Sequence, residues 1–145
     1  MLKNSYGKVL ELFISVKSDK KRLSKETLDV DVKGVLGDKF YAKDENRLIL
    51  VTSTDAYSLA KANGVDLEYG DLGENILIDK SINHLPMGER FKIGEVVFEI
   101  TQNCTLCNGL SLLDSKLPKI LKHDRGIFVK AVTNGTIKKD NNVIV

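Results

Sequence analysis

The sequence predicts a mostly β, barrel-like fold with a few short helices. Apolar and polar residues alternate with a period of two over residues 8–16 and again over 91–101, as in strands with one buried face. Residues 47–52 form a short apolar run rich in branched side chains, typical of a strand buried on both faces. Because exposed strand edges must be paired or covered, we expect the sheet to close on itself.

Further strands are expected near the end of the chain, at residues 127–132 and 143–145. Asn134-Gly135 stands between two threonines and predicts a hairpin, because a type I′ turn needs positive φ at both central residues. With 145 residues the chain can bury one ordinary core, and we expect a single domain over residues 1–145.

Helical signals are few. Ser53 or Thr54 can cap a short helix that runs through Ala62, and Asn63-Gly64 supplies a left-handed stop. The run 110–122 contains Pro118, so it predicts two short turns rather than one continuous helix.

Composition and charge restrict the function. Hydrophobic residues make up 42% and charged residues 29% of the chain, which excludes disordered and low-complexity classes. The net charge is only +2, so nucleic acid is not an expected partner. No apolar run approaches the ~20 residues of a membrane-spanning helix, and no membrane partner is expected. Two cysteines three positions apart cannot form the disulfide framework of a small secreted protein. We therefore expect the protein in the reducing cytoplasm.

One basic cluster, residues 17–25, has two interpretations. Charge runs of this kind usually form a solvated loop between strands. The alternative is a rim that attracts an anion close to a phosphorylated ligand.

The pair Cys104 and Cys107 follows a predicted strand and can serve several chemistries. A redox disulfide, half of a zinc site, a thiolate nucleophile, or two buried thiols are all compatible with this spacing. Zinc needs further ligands, but His84 and His123 each stand alone in the sequence. The polar neighbours of the pair indicate a turn at a strand end, where reactive groups tend to be presented.

Two glycine-acid segments, residues 34–39 and 70–76, are the other candidates for a binding site. Glycine permits positive φ and close approach of a ligand, although each segment alone is more typical of a tight turn. Neither has the spacing of a P-loop or of a dinucleotide fingerprint, so ATP and NAD are poorly supported.

The order of these pieces resembles a known family, the MOSC domain, named for the C-terminal region of molybdenum-cofactor sulfurase. The resemblance runs from about Gly7 to the C-terminus and rests on six segments: GVLGDKF, RLILV, GDLGENI, KIGEVVFEIT, the cysteine pair and RGIFVKAV. It implies a barrel-like fold that handles sulfur or a molybdenum pterin cofactor through one cysteine, in a stand-alone module.

The resemblance carries over residue by residue. Cys107 matches the family's important cysteine best, as catalytic thiolate and molybdenum ligand. Cofactor-binding roles are implied for Asp38, Lys39, Arg47, Glu74 and Asn75. Many members follow the Asp with a basic residue and then His, whereas here Lys39 is followed by Phe40.

Three functions follow from this resemblance and the cysteine pair. The first is a protein that binds molybdopterin or handles sulfur, with reduction of N-hydroxylated compounds as its most concrete activity and a reductase or sulfur donor as partner. The second is a non-catalytic carrier of sulfur or cofactor that serves a partner molybdoenzyme. The third is a thiol redox protein that uses Cys104 and Cys107 as a pair.

Overall fold

Seven strands close into a β-barrel in the computed structural model, which describes residues 5–16, 22–103 and 110–145. The strands and helices, in chain order, are β1 (Gly7–Ile14), β2 (Leu23–Lys25), β3 (Thr27–Asp31), β4 (Gly34–Val35), β5 (Ile49–Ser53), α1 (Thr54–Ala62), β6 (Ile76–Ile78), β7 (Arg90–Ile93), β8 (Val96–Asn103), α2 (Leu110–Leu113), α3 (Leu117–Ile120), β9 (Ile127–Ala131), β10 (Gly135–Lys138) and β11 (Asn142–Ile144). The mostly β, barrel-like fold class is confirmed.

The barrel order is β1-β6-β5-β9-β8-β7-β11, and β11 pairs back onto β1 with Gly7 opposite Val143. All of these pairings are antiparallel except β5 with β6, which run parallel with Val51 opposite Ile76. β2 extends β1 beyond the barrel, and β10, β3 and β4 form a separate three-stranded sheet.

The barrel interior is filled by branched and aromatic side chains. Phe98 is fully buried and stacks on Phe91 with 5.6 Å between ring centroids. A second apolar cluster lies where the helices cover the outside of the barrel, and it includes Tyr57, Leu72 and Leu117. In the part of the chain that is described, no helix is long and apolar enough to cross a membrane.

Strand β1 departs from simple alternation. Its register against β6 shifts between Val9 and Glu11, as a β-bulge does. Val9 and Leu12 therefore both point into the barrel, whereas Leu10 packs against the outer cluster. The sequence pattern predicted Leu10 on the same face as Leu12, and the bulge is the reason for the difference.

Residues 91–101, predicted as one strand, are two. β7 and β8 are joined by a two-residue turn after Ile93, in which Gly94 has a φ of +57°. The buried side chains fall on odd-numbered residues in β7 and on even-numbered residues in β8, so the phase of the alternation changes at this turn.

The prediction of a hairpin turn at Asn134-Gly135 is wrong. Neither residue has positive φ, and β10 pairs with β3 instead of returning along β9. Gly135 lies close to the barrel, since an added Cβ would meet Val96 Cγ2 at 2.7 Å. The glycine therefore serves close packing of the two sheets rather than a turn.

The predicted extents of the helices are confirmed, but Ser53 makes no side-chain hydrogen bond as the cap of α1. α1 follows β5 directly with Ser53 at its N-cap, and it ends before Gly64, which has a φ of +81°. The run 110–122 is broken into α2 and α3, and Pro118 lies in the first turn of α3, where its missing N–H costs nothing.

Candidate functional site

A cleft of about 360 Å³ opens beside the barrel, and three arginines line it. We call it the arginine cleft and define it by Arg22, Arg47 and Arg125. The other lining residues come from the loop before β5, from β5 itself, from the segment before β6 and from β9: Phe40, Lys43, Asp44, Leu48, Leu50, Gly73, Asn75 and Phe128.

Gly73 lets two guanidinium groups approach the backbone. Its φ is +88°, and an added Cβ would lie 3.1 Å from Arg125 Nη2 and 3.6 Å from Arg22 Nη2. A side chain at this position would therefore be strained and would crowd Arg125 Nη2. The glycine permits positive charge to converge at one point of the cleft.

Arg125 is fixed through both its side chain and its backbone. Nε donates a hydrogen bond to the Leu72 carbonyl at 2.9 Å, and Nη2 donates to the same oxygen. The Arg125 carbonyl accepts a hydrogen bond from Thr52 Oγ1 at 2.9 Å. These contacts connect the loop before β9 to β5 and to the turn before β6.

Arg22 is a largely buried cation of the cleft. Its side chain is 15% exposed, and Nη1 lies 3.9 Å from Asp38 Oδ1, beyond hydrogen-bond distance. Among the described residues this nitrogen has no hydrogen-bond acceptor. Burial lowers the pKa of the guanidinium, and the negative charges of Asp38 and Glu74 oppose that shift. A buried N–H without an acceptor is costly, so an anion in the cleft would satisfy it.

Asp38 is a buried structural anchor behind the cleft wall. Oδ1 accepts the Ser15 N–H at 2.6 Å, and Oδ2 accepts the Phe40 N–H at 3.0 Å. Lys39 is exposed, with its Nζ 5.0 Å from the centre of the Phe40 ring, and does not line the cleft. Asp38 thus sets the course of the chain on the Phe40 side of the cleft.

Asn75 joins three parts of the structure. Its Oδ1 accepts the Leu50 N–H at 3.1 Å, while Nδ2 donates to the Phe13 carbonyl at 3.2 Å and to Asp38 Oδ1 at 3.3 Å. Both ends of the amide are therefore used in holding β1, β5 and the Asp38 turn together. Asn75 forms part of the cleft wall.

Arg47 belongs to the more open side of the cleft. It is exposed, and its guanidinium carbon lies 5.1 Å from the centre of the Phe128 ring, a cation–π contact. A planar guanidinium held over an aromatic ring is well suited to bind phosphate or carboxylate oxygens.

Glu74 points away from the cleft, into the outer apolar cluster. Its side chain is fully buried, and Oε2 accepts hydrogen bonds from Tyr57 Oη at 2.6 Å and from the Gly70 N–H at 3.2 Å. Burial raises the pKa of Glu74, and the hydrogen bond from Tyr57 opposes that shift. Burial together with the charge of Glu74 raises the pKa of Tyr57.

We expect a pH-dependent stability effect from Glu74→Gln. Between the ordinary pKa of 4.5 and the raised folded pKa, the native state holds a proton that the unfolded chain has released. The contribution of Glu74 to stability therefore falls as pH rises through this window. The free energy of unfolding of the variant should rise relative to wild type there, by at most about 1.4 kcal/mol per pH unit.

Urea titrations from about pH 4 to about pH 8 measure this difference. Glu45→Gln, which removes a carboxylate at an exposed position, is the control. A constant difference for Glu74→Gln would contradict the argument.

The structure brings some of the predicted residues together and leaves others apart. Arg47 and Asn75 line the cleft, and Asp38 supports its wall from behind. Lys39 and Glu74 do not line it. Cys104 and Cys107 lie outside the described residues, but the preceding strand ends beside the cleft: Asn103 pairs with Ile127, the neighbour of Phe128.

Sequence reasoning missed the convergence of Arg22 and Arg125. Arg22 belongs to the basic cluster, whose interpretation as an anion-attracting rim agrees with its position in the cleft. Arg125 opens the segment RGIFVKAV, which contributed to the resemblance, but no role was predicted for this residue. The one available signal was an arginine followed by glycine at the start of a buried strand.

A protein-family model described as the MOSC domain matches residues 37–144. The chain belongs to the MOSC domain family. Membership supports a molybdenum-cofactor-related, sulfur-handling role in general terms.

Solved structures share the fold of this MOSC domain. The YuaD protein from Bacillus subtilis is 16% identical, with 98% of this chain and 97% of that chain covered and a TM-score of 0.82. YiiM from Escherichia coli is 16% identical, with 94% and 68% covered and a TM-score of 0.69. YiiM from Geobacillus stearothermophilus is 13% identical, with 99% and 74% covered and a TM-score of 0.68. No curated protein matches the chain.

The cleft fits the anionic part of the cofactor that the family implies. Three guanidinium groups, a buried N–H without an acceptor and the bare backbone at Gly73 make a cradle for a phosphate. Within residues 5–16, 22–103 and 110–145, no cluster of histidine, cysteine or carboxylate side chains could hold the metal itself. The proposed metal ligand, Cys107, is outside those residues.

Proposed function

We propose that this MOSC domain binds the molybdenum cofactor, with the pterin phosphate in the arginine cleft and Cys107 as the thiolate that ligates molybdenum or carries sulfur. The observation that carries the proposal is the buried Arg22 Nη1, which has no hydrogen-bond acceptor in the described part of the chain. A phosphate oxygen in the cleft would supply one, in a charge-assisted bond of the kind that Arg forms best.

Each cleft residue has a task in this proposal. Arg22 and Arg125 bind phosphate beside Gly73, and the exposed Arg47 supplies a third guanidinium group. Asn75 and Asp38 keep the wall rigid, because their hydrogen bonds already hold three parts of the barrel together. When bound, the cofactor supplies two-electron redox chemistry at molybdenum.

Cys107 is assigned by its place in the chain. It follows β8, whose last residue, Asn103, lies opposite Ile127 beside the cleft. A thiolate is a soft ligand that suits molybdenum, and it is also the nucleophile that accepts sulfane sulfur as a persulfide. Both uses need the cysteine to be near the cofactor that the cleft would hold.

The most concrete reaction is reduction of an N-hydroxylated compound. The N–O bond breaks, the substrate takes up two electrons and two protons, and the amine and one water molecule are released. A separate reductase must supply the electrons. This partner and the substrate belong to the proposal.

A second candidate is a non-catalytic carrier of sulfur or cofactor for a partner molybdoenzyme, and Phe40 favours it. Many members of the family have His at this position, whereas Phe40 lines the cleft with a ring that cannot transfer a proton. Among the described residues that line the cleft there is no histidine.

Metal and pterin content test the binding proposal. Protein from a host that makes the molybdenum cofactor should contain close to one molybdenum and one pterin per chain, by elemental analysis and pterin fluorescence. We expect Cys107→Ala to lose the molybdenum and Arg22→Gln to lose both, because the phosphate anchor is removed. Arg90→Gln changes an exposed arginine of β7 and should keep both.

Two outcomes would overturn parts of this proposal. Wild-type protein without molybdenum or pterin would exclude cofactor binding and leave sulfur carriage, to be checked as a persulfide on Cys107. Loaded protein that does not reduce N-hydroxylated compounds with a chemical electron donor would exclude the enzymatic form and favour the carrier.

A further inference from the structure

We propose that Tyr57, on α1, is a positioning residue for the arginine cleft. Its hydroxyl fixes the backbone of residues 70–72 so that the Leu72 carbonyl holds Arg125 in place. This inference rests on the proposed function, because it concerns how the same cleft binds an anion. Tyr57 does not itself line the arginine cleft.

The hydroxyl of Tyr57 uses its full hydrogen-bonding capacity in this task. It accepts the Gly70 N–H at 2.9 Å and the Leu72 N–H at 3.2 Å, and it donates to Glu74 Oε2 at 2.6 Å. A hydroxyl has one proton and two lone pairs, so all three are engaged. The buried carboxylate of Glu74 fixes the direction of the proton, which leaves both lone pairs to the backbone.

Leu72 transmits this constraint to Arg125. Its N–H binds the Tyr57 hydroxyl, while its carbonyl accepts hydrogen bonds from Arg125 Nε and Nη2. The Leu72 side chain is fully buried, and the Gly73 N–H closes the turn onto the Gly70 carbonyl at 3.0 Å. A movement of the Leu72 peptide groups would therefore move the acceptor that orients the guanidinium.

The ring of Tyr57 is held independently of its hydroxyl. It packs in the outer apolar cluster and meets the Tyr69 ring edge-on, with 5.0 Å between centroids. Tyr57→Phe should therefore keep the ring in place and remove only the hydroxyl. The Gly70 N–H keeps Glu74 Oε2 as an acceptor, but the buried Leu72 N–H loses its partner, so the backbone at Leu72 is expected to shift toward another acceptor.

A double-mutant cycle on anion binding tests the connection to Arg125. Isothermal titration of the wild-type chain with inorganic pyrophosphate gives the reference affinity. We expect Tyr57→Phe to weaken binding roughly fivefold, the effect of one misplaced hydrogen-bonding group. In an Arg125→Gln background the same change should have no further effect, whereas in an Arg47→Gln background the full fivefold loss should remain.

A spectroscopic measurement tests the positioning without any anion. The Nε–H resonance of Arg125, assigned by its loss in Arg125→Lys, should shift in Tyr57→Phe. Tyr69→Phe removes a neighbouring hydroxyl from a half-exposed ring and should leave that resonance unchanged.

The outcomes separate the two proposals. An unshifted Arg125 resonance, or equal losses in both arginine backgrounds, would overturn the role of Tyr57 while leaving anion binding intact. A wild-type chain that does not bind pyrophosphate, with the Arg125 resonance shifted in Tyr57→Phe, would overturn anion binding in the cleft but support the positioning contact.

Discussion

Asn75→Ala is expected to lower the free energy of unfolding by about 3 kcal/mol. The substitution removes a fully engaged buried amide, and the Leu50 N–H and the Phe13 carbonyl lose the partners that hold β5 and β1. Each buried group left without a partner costs roughly 1–3 kcal/mol. Asp38 Oδ1 also loses a donor, although the Ser15 N–H still binds it.

Urea unfolding followed by circular dichroism measures this loss. The matched control is Asn134→Ala, at an exposed position between β9 and β10, which should change stability by less than about 0.5 kcal/mol. A loss below about 1 kcal/mol for Asn75→Ala would mean that water or backbone rearrangement replaces the amide, and it would contradict the bridging role.

Gly126→Ala is expected to cost a similar amount, about 3 kcal/mol, for a steric reason. An added Cβ would lie 2.5 Å from the Val51 carbonyl oxygen and 2.8 Å from Thr52 Oγ1. The carbonyl belongs to β5, which pairs with β9 through Val51 and Ile127, so it cannot move without disturbing the barrel. The backbone rather than a flexible side chain must yield.

The same substitution should weaken anion binding in the arginine cleft, since Thr52 Oγ1 also holds the Arg125 carbonyl. Gly88→Ala is the control: nothing lies within 4 Å of its added Cβ, and only its φ of +85° opposes the change. We expect that variant to lose about 1 kcal/mol and to bind pyrophosphate as wild type does. Equal losses at both glycines would show that backbone conformation, and not the contact with β5, decides the cost.

Patterns local to one strand or helix predicted most of the fold. The branched run of β5 and the limits of α1 depend on neighbours close in sequence, and the structure agrees with them, whereas the bulge in β1 interrupts the predicted alternation. The Asn134-Gly135 prediction failed because the partner of β10 is β3, about a hundred residues earlier. Turn propensity says nothing of such a partner, which tertiary packing selects.

The candidate site was predictable only in part. Arg47 opens the apolar run 47–52, and Asn75 lies in the glycine-acid segment 70–76. Both residues were predicted from the family resemblance, and both line the cleft. Arg22 and Arg125 come from loops about a hundred residues apart, and their guanidinium groups both lie beside Gly73. Tyr57 lies on the buried face of a helix, where its pattern predicts a core residue. Hydrophobic periodicity does not indicate that its hydroxyl binds the backbone of another segment.

The pairing of β11 with β1 has a kinetic consequence. Gly7 and Val143 are paired where β1 meets β11 and closes the barrel. Closure must therefore bring together segments separated by nearly the whole chain. Contacts of such sequence separation slow folding, because the chain entropy is lost before the contact is gained. On a ribosome, β1 and β7 keep open edges until Asn142–Ile144 has emerged from the exit tunnel. During synthesis these two edges can pair with another molecule.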